Sequence, residues 1–308
     1  MTTILFTHAA CLGHDTGPGH PERVARLEAV LAELSKPAFA ALERRDAPEA
    51  TVADLCLAHP RRYVDSLLES IPAEGIAMLD ADTAVSPGSR GAALRAAGAG
   101  IAAVDAVCTG QADNAFCAVR PPGHHAEPGH AMGFCLFNNV VIAARHARRA
   151  HGLQRIAIVD FDVHHGNGSE TQALADPDLF YASTHQNPLY PGSGTMDFDD
   201  KPNVVNVPLP PHSGPAAFRA AMTDKVLPAL RGFAPELVIV SAGFDAHRDD
   251  PLAELNLTED DYAWVTGELL AVARDCAGGR LVSMLEGGYD LGALARSAGA
   301  HVRALMAA

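Results

Sequence analysis

The sequence predicts one α/β domain spanning residues 1–308, with an open, mostly parallel central sheet flanked by helices. Three observations carry that prediction. Short β-rich apolar runs recur along the chain, each followed by a stretch of helical periodicity. Several runs are apolar at successive rather than alternate positions, as in strands buried on both faces of a parallel sheet. Polar clusters fall just past the ends of these runs, where open α/β sheets bind their ligands.

Taken in order, the predicted strands are 4–7, 116–120, 156–160, 179–183, 204–207, 237–241 and 281–285. Among the helices, Pro21 suits a first helical position, where its missing N–H is not needed, and Val24, Leu27, Val30, Leu31 and Leu34 follow at helical spacing. Thr258 with Asp261 resembles a capping box, with Asp where Glu or Gln is usual. It would open a helix carrying Tyr262, Val265, Leu269 and Val272. The run 91–108 is rich in Ala and Gly but interrupted by Arg95 and Asp105, and reads as too short and too charged to span a bilayer. No solenoid-period repeat or low-complexity linker divides the chain.

Composition removes several function classes. Of 308 residues, 48% are apolar and 19% charged, and a chain this long buries about three-quarters of its unfolded surface. Extensive disorder needs the opposite balance. Thirty-seven acids against 23 bases leave a net charge of −14. That argues against nucleic acid as partner, since phosphates need clustered Lys and Arg, and leaves cationic or neutral substrates open. Six cysteines, at 11, 56, 108, 117, 135 and 276, form no CxxC pair, against a disulfide framework or a Cys-ligated zinc ribbon. The opening MTTILFTHAA has no basic segment followed by an apolar stretch, so no signal peptide is expected. The expectation is a soluble cytoplasmic protein with no membrane partner, a homo-oligomer being left open.

Four polar clusters could do chemistry. In IVDFDVHHGNG at 158–168, Asp160, Asp162 and His164 would share one strand face at period two if the strand continues. Two carboxylates and an imidazole converging there suit a divalent metal. Alone, D-x-H is more often a helix cap beside a core histidine. Five polar residues in eight at a buried sheet edge would be costly without a role. RPPGHHAEPGHAMGF at 120–134 holds the tandem His124 and His125. Imidazoles suit metal ligation or acid–base work near neutrality, although a His pair by itself is equally a solvated loop. SAGFDAHRDDPL at 241–252 supplies Asp245, which would complete a two-carboxylate, one-histidine set with positions open for water. LEGGYD at 285–290 places Tyr289 after two glycines, where a phenol could donate to a developing oxyanion.

In this order and at these separations, the four motifs resemble the histone deacetylase superfamily, in its class II-like branch with the bacterial histone deacetylase-like and acetylpolyamine amidohydrolases. The resemblance runs from Gly19-His20-Pro21-Glu22 to about Asp290, nearly the whole chain. It implies an arginase/deacetylase-type fold and a zinc-dependent deacetylase, with ferrous iron as the alternative metal. Asp162, His164 and Asp245 match the family's zinc ligands. His124 and His125 match its tandem catalytic pair, with His125 as general base and acid, and Asp160 matches the acid that orients His124. Asn167 stands where some branches have Asp, so His125 should be less basic than in a fully paired site. Tyr289 matches the oxyanion donor. Phe134 after Gly133, and Tyr190 before Pro191-Gly192, match the aromatic walls of an acyl-lysine channel. Asp160 and Ser183, with the main-chain carbonyls of Asp162, His164 and Thr184, match a structural potassium site.

The resemblance also bears on substrate. One polyamine-selective branch has Glu after the Pro of the D-x-x-x-x-D-P segment, where this chain has Leu252. Acylated lysine in peptides or proteins, or small acyl amines, are therefore expected ahead of acetylspermidine, with an acetylpolyamine amidohydrolase as the alternative. Two more distant readings stay open. Asp245-Ala246-His247-Arg248-Asp249 mimics the D-x-H-x-D of a binuclear ureohydrolase, though Gly166 stands where that family has an acid. A non-enzymatic acyl-amine-binding protein on a decayed site is the other.

Overall fold

The computed structural model describes residues 2–195 and 201–308. Ten strands are present among them: β1 (Thr3–Thr7), β2 (Glu43–Asp46), β3 (Ala77–Met78), β4 (Ala84–Val85), β5 (Asn114–Cys117), β6 (Ile156–Asp160), β7 (Leu179–Gln186), β8 (Val204–Leu209), β9 (Leu237–Ala242) and β10 (Leu281–Leu285). Eight form one sheet in the order β2-β1-β5-β10-β9-β6-β7-β8, and β3 and β4 make a separate antiparallel pair. Every neighbouring pair in the large sheet is parallel. The four central strands are buried along their whole length, as their unbroken apolar runs require.

Among the described residues the ten α-helices are α1 (Val24–Leu34), α2 (Val52–Leu55), α3 (Arg61–Ser70), α4 (Ser89–Cys108), α5 (Asn139–His151), α6 (Asn167–Leu174), α7 (Pro215–Ala221), α8 (Leu227–Phe233), α9 (Glu259–Cys276) and α10 (Leu291–Met306). On β10, the Ser283 hydroxyl meets His301 of α10 at 2.8 Å, whereas a Cβ on Gly100 of α4 would touch its neighbour Met284. Successive strand residues face opposite ways. The sheet is therefore covered by α4 and α5 on one face and by α1, α9 and α10 on the other.

Most predicted elements are found, with four corrections. The strand expected at 116–120 is β5 at Asn114–Cys117, ending three residues earlier. Pro21 lies outside α1, whose N-cap is Arg23. Strand β2 carries the sequence Glu-Arg-Arg-Asp at the sheet edge, where one side of the strand meets solvent and no apolar run is needed. Helix α4, at 20 residues, is long and apolar enough to cross a membrane on length and composition, contrary to the expectation for 91–108. However, 67% of its most apolar stretch is buried inside the protein, and it serves as a core helix. The capping box at α9 is present: the Asp261 carboxylate accepts the Thr258 N–H at 3.0 Å and its hydroxyl at 3.1 Å.

All eight strands of the sheet run the same way, so their carboxyl ends share one edge. Strands β5, β10, β9 and β6 are consecutive there, and they feed the four polar motifs.

Candidate active site

The site begins where β6 stops. The strand ends at Asp160, so the period-two continuation to His164 does not occur. A bend at 162–164 brings Asp162 and His164 together instead. Backbone N–H groups aim the carboxylates: Gly287 donates to Asp162 Oδ2 at 2.8 Å, His164 to Asp162 Oδ1 at 2.9 Å, and Val163 to Asp245 Oδ1 at 2.8 Å. His164 Nδ1 then lies 3.1 Å from Asp162 Oδ1 and 3.2 Å from Asp245 Oδ2. All three residues are buried, and one donor atom from each falls within 4.8 Å of the others. Gly287 makes this possible, because a Cβ there would strike both carboxylates.

The donor set fits a divalent ion. Two buried carboxylates leave the spot short of positive charge. Burial opposes a charge on His164, yet Asp162 and Asp245 push its pKa up to about 10. Asp245 is raised by burial and by Asp162 beside it. Two carboxylate oxygens and an imidazole nitrogen in such an electronegative pocket are a donor set that could hold a divalent ion with positions left open.

Beside it the tandem histidines are held in opposite states. His124 Nδ1 meets Asp160 Oδ2 at 2.9 Å, and that carboxylate also accepts the Tyr181 hydroxyl at 3.1 Å. Burial opposes a charge on His124, but Asp160, Asp162 and Glu286 outweigh it and hold the ring well above the ordinary histidine value. His125 Nδ1 meets Asn167 Oδ1 at 2.9 Å. Burial, followed by the nearby His124 and His164, holds His125 well below the ordinary value. The two rings are 4.0 Å apart. The two imidazoles are thus shifted in opposite directions, a split that suits acid–base work.

Of these groups, His125 and His164 line a cavity of about 260 Å³, together with Tyr289. Gly133, Phe134, Tyr190, Leu189 and Leu252 form its sides. The Phe134 and Tyr289 rings are 6.0 Å apart, and Tyr190 sits 5.2 Å from the His125 ring. Gly133 has φ +56, and a Cβ there would collide with His125, so the wall residue must be glycine. Burial holds the Tyr289 phenol well above its ordinary value, with Arg26 opposing; it stays a hydrogen-bond donor. A larger cavity of about 670 Å³, near Pro177, Lys201 and Phe233, contains none of the motif residues.

Two expected features lie to the side. Asp160 pairs across β6–β7 with Ser183, whose hydroxyl meets His185 Nδ1 at 2.9 Å; the Thr184 hydroxyl is buried without a partner. His247, the middle of the D-x-H-x-D run, turns away from Asp245 toward Asp249 and Glu259, at 3.6 and 3.5 Å.

Sequence reasoning missed several supporting residues. The Glu286 carboxylate accepts the N–H groups of Gly123 and His124 at 2.6 and 3.2 Å, anchoring the histidine loop. Glu127 accepts from the Asn167 amide at 2.6 Å, which turns the amide oxygen toward His125. Both acids lie inside the motifs and could have been singled out there. Arg26 is a charge on the buried stripe of α1 with Leu27, Val30 and Leu34, a visible anomaly. Asp82, at the cavity wall, carries no local signal.

Comparison with known proteins agrees with this geometry. A family model described as the histone deacetylase domain matches residues 20–305. The histone deacetylase-like amidohydrolase of Pseudomonas aeruginosa is 39% identical, over 94% of this chain and 82% of its own length. The human polyamine deacetylase HDAC10 is 40% identical over 92% of this chain and 44% of its own length. Among solved structures, the HDA15 HD domain superimposes with a TM-score of 0.90 at 34% identity, covering 98% of this chain and 88% of that one. With a family model matched across nearly its whole length and relatives near 40% identity, the chain belongs to the histone deacetylase family.

Proposed function

We propose that the protein is a zinc-dependent hydrolase that removes acyl groups from acylated lysine side chains or similar small acyl amines. The observation that carries the reading is the convergence of three elements at one cavity: His164 of the Asp162–His164–Asp245 cluster, His125 of the tandem pair, and the Tyr289 phenol all line it. A divalent ion held by that cluster would supply a Lewis acid that activates water and polarises the scissile carbonyl. His125 has Nδ1 engaged by Asn167 and lines the cavity, so its Nε2 is placed to take the water proton. His124, whose pKa Asp160 raises, steadies developing negative charge, and a histidine returns a proton to the leaving amine. Tyr289 donates its O–H to the carbonyl oxygen as that atom gains charge. The attacking oxygen ends in the carboxylate product, and the amine leaves protonated. Asp160 and Ser183, with the carbonyls of Asp162, His164 and Thr184, belong to the same reading as a structural potassium site; ferrous iron remains the alternative at the catalytic cluster.

For the substrate, the apolar walls Phe134, Tyr190 and Leu252 favour the methylene chain of an acyl-lysine. Asp82 on the same wall and the net charge of −14 favour the second reading, an acetylpolyamine, whose cations would meet that carboxylate. The binuclear ureohydrolase reading is weakened by the turning away of His247. The deciding experiment compares kcat/KM of the zinc-loaded protein on acetyl-lysine peptides and on N8-acetylspermidine. The peptide, or another acyl-lysine, should be turned over faster. A tenfold or greater preference for the polyamine would reverse the ranking, and no hydrolysis of any acylated amine would overturn the enzymatic reading.

A further inference from the structure

A second cluster of metal-binding side chains lies far from the cavity. His146 and His151 of α5 each place Nε2 at 2.7 Å from the same oxygen, Oδ1 of Asp105 on α4. The two rings are 5.9 Å apart and cross at 76°, and one donor atom from each of the three residues lies within 4.8 Å of the others. We propose that Asp105, His146 and His151 form a second divalent-cation site, selective for borderline ions such as zinc.

The chemistry and placement support this. One carboxylate with two imidazoles is a donor set that zinc, nickel and copper prefer over magnesium or calcium, which want oxygen ligands. It leaves coordination positions for water. Asp105 sits in the last turn of α4 and His151 closes α5. The negative ends of two helix dipoles therefore meet at the site, and each favours a cation. The basic residues of the same turn are committed elsewhere: Arg148 to Asp176 at 2.5 Å and Arg149 to Asp54 at 2.6 Å. Burial works against the Asp105 charge, yet its two histidine partners hold its pKa below the ordinary value, so the carboxylate stays ionised. Its side chain is 47% exposed, which gives an ion a way in. The ligands stand on two helices packed against each other, so little ordering is needed on binding.

The site is separate from the catalytic cluster. Helix α5 starts beside the histidine loop, where Asn139 donates to the Pro121 carbonyl at 3.2 Å. Twelve residues at 1.5 Å each put His151 about 18 Å from that end, at the opposite edge of the sheet.

The test uses tag-free protein already loaded with one equivalent of zinc, titrated with further zinc by isothermal calorimetry and checked by elemental analysis after gel filtration. Wild type should take up one further equivalent. His151→Gln and Asp105→Asn should each lose that uptake, or weaken it at least tenfold, while retaining the first equivalent and the far-ultraviolet circular dichroism of the wild type. Two variants guard against a local folding defect in either. Absence of a second equivalent in wild type would overturn the proposal and leave a hydrogen-bonded His–Asp–His cluster only. So would a second equivalent that both variants bind as tightly as wild type.

Discussion

Arg26 lies beneath Tyr289, its guanidinium carbon 4.9 Å from the ring centroid, while donating to the Gly288 carbonyl at 2.5 Å and the Glu286 carbonyl at 2.6 Å. One buried cation thus holds the turn on which the phenol stands and supports its face. The turn contains two glycines, Gly288 with φ +122, and Asp250 fixes it further by accepting the Tyr289 N–H at 2.7 Å.

If Tyr289 is the oxyanion donor proposed above and no metal ligand, Tyr289→Phe should lower kcat by roughly 100-fold or more, the scale of losing one such donor. Metal content should be unchanged. Activity within twofold of wild type would remove the phenol from the mechanism.

Asp162 ties the site together, accepting from Gly287 and His164. Asp162→Ala should abolish deacetylation and remove the catalytic ion, as read by elemental analysis at one equivalent of added zinc. The circular dichroism should stay that of a folded α/β domain, since the sheet core does not depend on this side chain. A variant that keeps its ion would mean that the ligand set is drawn wrongly.

The pH response of His125 is testable through its partner. Burial and the two neighbouring imidazoles hold His125 below the ordinary histidine value, and Asn167 offers it no charge. Asn167→Asp would place a carboxylate 2.9 Å from Nδ1, in the position the amide oxygen now occupies. That favours the imidazolium and raises the pKa. A base must be neutral to work, so the acid limb of the kcat/KM profile should move to higher pH. An unmoved limb would show that another group controls it.

A second pH effect concerns stability. Glu22 is fully buried; desolvation works against its charge, but Arg120 and Arg26 pull its pKa down to about 2. A folded-state value below the ordinary 4.5 means that the stabilisation is complete above pH 4.5 and is lost as pH falls through 2. The shift corresponds to roughly 3 kcal/mol. Glu22→Gln should destabilise by about 3–5 kcal/mol at neutral pH, because two buried guanidiniums lose their counter-charge. Urea unfolding across the acid range should show the gap to wild type narrowing below pH 4.5. A constant gap would argue that packing, not charge, is what Glu22 contributes.

Leu252 lines the cavity, so a carboxylate there would face a cationic substrate. Leu252→Glu should shift the acetylspermidine to acetyl-lysine ratio of kcat/KM toward the polyamine by about 1–3 kcal/mol, roughly 5- to 150-fold. Asp82 already lines the same cavity, so the added carboxylate would be the second one there. No shift would mean that the substrate does not pass Leu252.

What the amino-acid sequence determined by itself was whatever local burial dictates. Strands β6 and β10 were legible to the residue, because a strand covered on both faces must be apolar at consecutive positions. The α9 cap was legible because Thr258 and Asp261 meet within one turn. The motif residues were legible because each follows a strand whose end must lie at the binding edge. Tertiary structure decided the rest. Strand β2 left no apolar signature, since a charged edge strand is defined by its neighbour β1 and not by its own side chains. The roles of Asp82 and Arg26 arise from contacts with residues dozens to hundreds of positions away, as when Arg26 meets Gly288. Even within one motif, the segment after Asp160 was decided by partners in the loops just past β9 and β10, whose Asp245 and Gly287 fix where Asp162 and His164 face. Periodicity records how a residue is buried; only the order of strands in the sheet records against whom.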